Sequence, residues 1–328
     1  PWTVYKRLVP IALAVCGLVA LPIWASTSAM DIANQILLAS IGAIALMLLT
    51  GFAGQISLGH AGLLAAGAFT AGILAREVGA PFWVGIPAAG ATGAMLGLIF
   101  GLPSLRLRGI YLAVSTLALH FVVIYLGGEY ETRRGFSTGI LIDPPLVFGR
   151  ELWDPRDWYP LLLVCAGLTW LGARNLLRAR TGRSWAAIHD TEPVAAALGI
   201  HVARAKLTAF VISSTITAMA GALFAYYRGF VSIEAFSLFV TIQYVAMIII
   251  GGMGTLIGAV LGAAFVTILP HAIEWGTSLL PTSRALAGSI FAINYAAFGV
   301  IMIAFLALEP GGLVGIARRL RGLIRGRG

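Results

Sequence analysis

Apolar residues run along this chain in long blocks, and polar residues collect in the gaps between them. A helix crossing a hydrocarbon core of about 30 Å needs about 20 mostly apolar residues. Blocks near that length lie at 8–25, 32–50, 56–75, 82–102, 110–127, 159–173, 207–227, 239–251, 255–274 and 288–308. Those at 110–127, 159–173 and 239–251 are short, so one or two are expected to be re-entrant or divided differently. The pattern predicts an all-α, polytopic transmembrane helical bundle of about 10 membrane segments, within a range of roughly 8 to 11. The first block follows Lys6 and Arg7 as a signal peptide would. It is longer than the usual apolar region of such a peptide, and Trp24 and Ser26 form no clear small-residue cleavage site, so it reads as a retained span.

Composition strengthens this reading. Apolar residues make up 59% of the 328 and charged ones 11%, whereas a soluble domain is about half apolar and about a quarter charged. A chain so poor in charge cannot clothe a water-facing surface. Its formal charge of +9 invites a nucleic-acid reading, but the placement of the charges does not. With the N-terminus in the cytoplasm and the blocks alternating, the inner side collects Lys6, Arg7, Arg106, Arg108, Arg174, Arg178, Arg180, Arg183, Arg204, Lys206 and the five arginines from Arg318 to Arg327. Only Asp190, Glu192 and Glu309 oppose them there, and acids outnumber cations outside. This is the positive-inside pattern. It puts both termini of a multi-pass membrane protein in the cytoplasm and leaves the basic charge without need of a nucleic-acid partner. Cys16 and Cys165 sit inside apolar blocks as small hydrophobes and make neither a disulfide framework nor a metal site.

Two polar segments are long. The outer one, 128–158, carries six acids, four arginines and Pro144, Pro145 and Pro155, with Trp153 and Trp158 as expected interface anchors. The inner one, 174–206, contains Asp190-Thr-Glu192-Pro193, which reads as a helix start: a capping residue, acids at the positive end of the dipole, and proline in the first turn. The following Val-Ala-Ala-Ala-Leu ends at Gly199, a natural helix stop. A short helix outside the membrane is more than a plain connector needs.

Glycine is abundant and ordered. Gly85, Ala89, Gly93, Gly97 and Gly101 recur every four residues, as do Gly254, Gly258 and Gly262, the spacing that lets membrane helices approach closely. A less regular cluster, Gly51 to Gly67, surrounds Gln55, Ser57 and His60. Polar groups at that depth must pair or line a wet cavity, so these three are candidate pathway or packing residues. His120 reads as a packed core histidine, Glu234 and Glu274 fall near outer span ends, and Gln243 and Asn294 read as bridges between helices.

No phosphate-binding loop, H-E-x-x-H, C-x-x-C or G-x-S-x-G occurs, so no catalytic residue is assigned and hydrolase or metal chemistry is poorly supported. The predicted span centres hold almost no ionisable residues. Ion-coupled carriers usually place such residues there, which favours transport powered from elsewhere.

The residues also carry a resemblance. Gly51-Phe-Ala-Gly-Gln-Ile-Ser-Leu-Gly-His60, with Gly67-Ala-Phe-Thr70 after it, resembles the segment G-[YF]-[AT]-G-Q-x-S-L-G-H/Q…G-A-[YF] of branched-chain amino acid ABC-transporter permeases. Leu105 to Ala113, Ala187 to Gly199, Ala220 to Phe224, Ile250 to Thr255 and Glu309 to Leu313 are similar to further elements of that family in the same order, and the longer M-type subunit fits best. The resemblance implies a single permease domain over 1–328, importing branched-chain or related amino acids. The expected partners are a second homologous permease, two cytoplasmic ATPases that carry the ATP and magnesium, and an extracytoplasmic binding protein. No cofactor is expected on this chain. Asp190, Glu192, Ala195, Ala196 and Gly199 match the loop helix that docks on the ATPase. His189 stands where the family often has arginine, and Pro193 departs from its spacing. The same permease type carrying urea or another small polar solute, an ion-coupled carrier, and a membrane scaffold stand as alternatives.

Overall fold

The computed structural model describes residues 24–105, 109–135, 139–147, 149–278, 290–308 and 311–325, with residues 17, 21 and 22 besides. Nearly all of the 8–25 block lies outside the described residues, as do Lys6, Arg7, Cys16, Arg106, Arg108, Glu309, Pro310 and Arg327 and the side chain of Asn294.

Every apolar block within the described residues is largely helical, the block 56–75 only from His60 on. The order is α1 (Thr27–Leu46), continued by a π-helical turn (Met47–Phe52), then α2 (His60–Glu77), α3 (Phe82–Ser104), α4 (Ile110–Arg134) and α5 (Pro155–Arg178). The short α6 (Arg180–Asp190) and α7 (Glu192–Ala197) lead into α8 (Val202–Arg228), followed by α9 (Leu238–Gly251), α10 (Leu256–Ser278), α11 (Ile290–Leu308) and α12 (Gly312–Arg325). Among the described residues, six helices are long and apolar enough to cross a membrane: Thr27–Phe52, Phe82–Pro103, Ile110–Arg134, Pro155–Arg178, Val202–Arg228 and Leu256–Gly276. Large apolar side chains stand exposed along them, among them Leu98, Phe121, Tyr125, Leu168 and Leu261. On a water-soluble protein such a surface would be a liability, and in lipid it is the expected outer face.

The helices continue past the ends of the apolar blocks. α4 runs on to Arg134 and α5 starts at Pro155, so only the middle of the 128–158 segment is non-helical. Strand β1 (Ile140–Leu141) pairs with β4 (Phe230–Val231) just beyond α8, and β2 (Leu146–Val147) with β3 (Arg150–Glu151). Trp158 is not an interface anchor: it is 2% exposed, donates to the Leu152 carbonyl at 2.9 Å and packs on Phe82 and Tyr227. Trp153, 72% exposed, keeps the surface position.

Glycines set the closest helix crossings. A side chain at Gly93 would strike the Ser214 carbonyl and Ala218, one at Gly97 the Ser214 hydroxyl, and one at Gly85 the Tyr226 hydroxyl, so this row of α3 lies directly on α8. Gly67 and Gly221 bring α2 and α8 together in the same way, each against a backbone carbonyl of the other helix. Gly258 and Gly262 of α10 lie on the α9 backbone, but Gly254 does not belong to that row. It sits in the turn before α10 at φ +76°, and the nearest atom a side chain there would meet is 3.9 Å away. Its role is the left-handed backbone that glycine alone adopts cheaply.

Candidate functional site

Between α1 and α2 the chain leaves the helix with Ala53, Gln55, Ser57 and Gly59 buried and Gly54 and Ile56 exposed. The π-helical turn closes with the Ala53 N–H on the Leu48 carbonyl, and residues 53–59 then run irregularly to His60. Peptide groups buried in such a break need partners; several come from neighbouring residues and two from distant helices. The Leu58 N–H donates to Thr116 Oγ1 of α4 at 2.9 Å, and the Ala61 N–H, at the open start of α2, donates to Thr241 Oγ1 of α9 at 3.0 Å. Thr50 Oγ1 donates to the Gln55 carbonyl at 3.0 Å.

The three polar residues singled out here are all buried. Gln55 Nε2 donates to the Lys206 carbonyl of α8 at 3.0 Å, which fixes its side chain across the break. Ser57 Oγ accepts from the Gly59 N–H at 3.4 Å, and the His60 ring packs on Tyr244 with centroids 4.6 Å apart. His120 is buried where α4 crosses α2 at Gly62.

The inner segment folds onto this break. α6, which the sequence reading did not separate from the loop, is amphipathic and buries Gly182, Trp185 and Ile188, with Trp185 Nε1 donating to the Ala205 carbonyl at 2.9 Å. Asp190 is therefore the last residue of α6 and does not start the next helix. Thr191, extended at φ −156°, separates the two, and Glu192 and Pro193 open α7. Gly199, at φ +83°, turns the chain toward α8.

α7 has two faces. Inward, Ala195 is buried and Glu192 Oε2 accepts from Lys206 Nζ at 2.9 Å. Lys206 is thus held at both ends, its carbonyl by Gln55 and its ammonium by Glu192. A side chain at Gly54, which has φ +67°, would fall 2.7 Å from His189 Nδ1, so the break also lies directly against the end of α6. Outward, α7 shows Val194 at 54% and Leu198 at 75% exposure, with Pro193 and Ala196 exposed beside them. An apolar knob presented to water by a helix tied at its back is a docking shape.

Gln55, Glu192 and Ala195 thus meet in one unit, whereas Asp190, Ala196 and Gly199 lie on its exposed side. Sequence reading missed Thr116, Thr241, His189 and Lys206 as members. The two threonines left one signal, a hydroxyl inside an apolar block. Among the described residues no group of His, Cys, Asp and Glu is arranged to hold a metal ion.

Comparison with known proteins gives the family of the chain. Residues 28–306 match the family described as branched-chain amino acid transport system / permease component. The high-affinity branched-chain amino acid transport system permease protein LivM of Escherichia coli is 32% identical over 340 aligned positions, spanning 96% of this chain and 76% of that protein. Its counterpart in Salmonella typhimurium gives the same figures. The autoinducer 2 import system permease protein LsrC of Klebsiella pneumoniae is 32% identical over 186 positions, 54% of this chain and 52% of its own length. No solved structure matches the chain. With its breadth of match and its apolar helices, this multi-pass membrane protein belongs to the branched-chain amino acid transport permease family.

Proposed function

We propose that the chain is a permease subunit of an ATP-binding-cassette importer that moves branched-chain or related amino acids across the inner membrane. It is a transport subunit and not an enzyme; ATP and magnesium belong to two partner ATPases. A second homologous permease completes the membrane part, and a binding protein delivers solute to the outer segment around 135–154. The positive-inside count supports placing residues 174–206 in the cytoplasm.

The observation that carries this reading is the two-faced α7. Its exposed Val194 and Leu198 are positioned to seat in an ATPase groove. Its buried side is joined through Glu192 to Lys206, and through the Lys206 carbonyl to Gln55 in the break. Motion imposed on α7 when ATP closes the ATPases would reach the broken helix through these contacts. Gln55, Ser57 and His60 then act as packing residues of that joint.

Copurification with a tagged chain tests the docking. A Val194→Asp/Leu198→Asp variant changes only the exposed face, whereas Glu192→Arg would set two cations against each other and disturb the fold. The wild type is expected to bring down two ATPases and a second permease, and the variant to keep the permease and lose the ATPases. A wild type that purifies alone, or a variant that retains the ATPases, would overturn the docking assignment. Competition of uptake by L-leucine against urea then separates the amino acid reading from a permease for a small polar solute.

A further inference from the structure

A cavity of about 200 Å³ lies among α1, α2, α8, α9 and α10, and its wall includes Tyr244, the ring on which His60 of the joint packs. A water needs roughly 10–15 Å³ on this measure, so the space suits a solute of leucine's size. Its walls divide by chemistry. One part is aliphatic and aromatic, with Leu38, Leu64, Phe224, Val240 and Met247. The other carries Gln35, Tyr227, Arg228 and Gln243. From Arg228 back to Ala220 along α8 the wall extends about 12 Å, and Ala235 and Phe236, from the 3-10 turn Ile233–Phe236, border it near the outer end of α8.

The polar groups are arranged by charge. Asp31, one layer behind the wall, accepts from Gln35 Nε2 at 2.8 Å and from the Tyr227 hydroxyl. With its amide nitrogen on Asp31, Gln35 keeps a carbonyl oxygen as an acceptor. Arg228 lies with its guanidinium 5.7 Å above the Phe224 ring and makes no ion pair among the described residues. Gln243, whose sequence position reads as a bridge between helices, lines this cavity.

We propose that this chamber binds one zwitterionic amino acid with an apolar side chain. Arg228 takes the carboxylate, the amide oxygens of Gln35 and Gln243 take the ammonium, and the Leu38, Leu64, Val240 and Met247 wall takes the side chain. Arginine suits a carboxylate because two N–H groups match its two oxygens. An ammonium needs acceptors, which the two amides supply without a second buried charge. This assignment rests on the amino acid importer reading and adds that a single chain holds the solute within its own helices.

The test is equilibrium binding of radiolabelled L-leucine to the purified permease–ATPase complex in lipid nanodiscs, without binding protein. Uptake of L-leucine by the complete importer is measured alongside. Val240→Trp fills the chamber, and Ile242→Trp adds the same bulk on the exposed face of α9. Saturable binding is expected at one leucine per copy of this chain, abolished by Val240→Trp and changed less than about twofold by Ile242→Trp. Losing a charge-assisted hydrogen bond costs tenfold or more, on the order of 1.4 kcal/mol per factor of ten. Arg228→Met is therefore expected to weaken L-leucine about tenfold while shifting competition by L-leucinol, which lacks the carboxylate, less than about twofold. Equal shifts for both compounds, or binding that survives Val240→Trp, overturn the site. Uptake by the complete importer with no binding to the wild-type complex also overturns the site and leaves the importer reading intact. Absence of leucine uptake overturns the substrate reading and this assignment with it.

Discussion

The Glu192–Lys206 pair makes an asymmetric prediction. Its two charges stand 2.9 Å apart, with the lysine side chain 10% exposed and the glutamate 24%. At an effective dielectric of about 20 their attraction is about 6 kcal/mol, most of it offset by the desolvation of both groups. The pair is thus worth little against a neutral substitute, but removing the glutamate strands the more deeply buried ammonium. Glu192→Leu leaves an ammonium with its carboxylate gone and nine-tenths of its surface away from water, and the cost is expected to be about 3 kcal/mol. Lys206→Met leaves a carboxylate that water still reaches, at about 1 kcal/mol. The double variant removes both charges and is expected at about 1–2 kcal/mol, including the acid lost from the first turn of α7. The cycle therefore predicts a coupling of about 2–3 kcal/mol. Steric-trap unfolding of the purified chain in bicelles measures each value. Equal costs for the two single variants, or strict additivity in the double, would refute the argument that the buried ammonium is what makes the pair tight.

Three further outcomes follow from the packing. Gly67→Ala and Gly221→Ala each drive a methyl into a facing backbone carbonyl, so each is expected to cost about 3 kcal/mol; Gly167→Ala and Gly172→Ala meet nothing within 4 Å and are expected to be neutral or stabilising by up to about 1 kcal/mol, read as yield of folded protein and melting temperature. Thr116→Val and Thr241→Val each orphan one N–H of the buried break; each is expected to cost about 1–3 kcal/mol and to speed hydrogen exchange at Leu58 and Ala61 respectively. Trp158→Phe loses the bond to the Leu152 carbonyl and is expected to lower stability by about 1–2 kcal/mol, whereas Trp153→Phe at the surface stays within about 0.5 kcal/mol.

The bundle was legible because lipid imposes a coarse rule: a spanning stretch must be apolar for most of its length, whatever it packs against. Helix ends were less legible, since a membrane helix continues into the headgroup region on residues whose charges reach water. The Arg133 and Arg134 end of α4 and the Arg204 start of α8 were therefore read as loop. Spacing alone could not tell Gly254 from Gly258, because a four-residue interval holds equally in a helix row and across a turn. α6 did leave a signal, Gly182, Trp185 and Ile188 on one face at intervals of three. Arg180 and Arg183 beside them disguised it as a polar linker. What no local pattern could yield is Lys206 as the hub, because its partners Gln55 and Glu192 lie 151 and 14 residues away.

The ties across the break bear on how the joint moves. A loose segment would absorb a push from α7 by bending, and nothing would travel further. Here residues 53–61 are tied to α4 by Thr116, to α9 by Thr241 and to α8 through Gln55. The Gly54 backbone also abuts His189 with no room for a side chain. Each tie that yields leaves a polar group unpaired in a medium that offers it no water, at about 1–3 kcal/mol. Bending the break alone is therefore costlier than carrying along the stretches of α4, α8 and α9 around Thr116, Lys206 and Thr241. The glycine contacts between α2 and α8, and between α3 and α8, extend the same body outward. A displacement entering at Val194 and Leu198 is thus expected to move these helices as one piece and to reach Tyr244 of α9 and Arg228 of α8, both on the wall of the outer chamber.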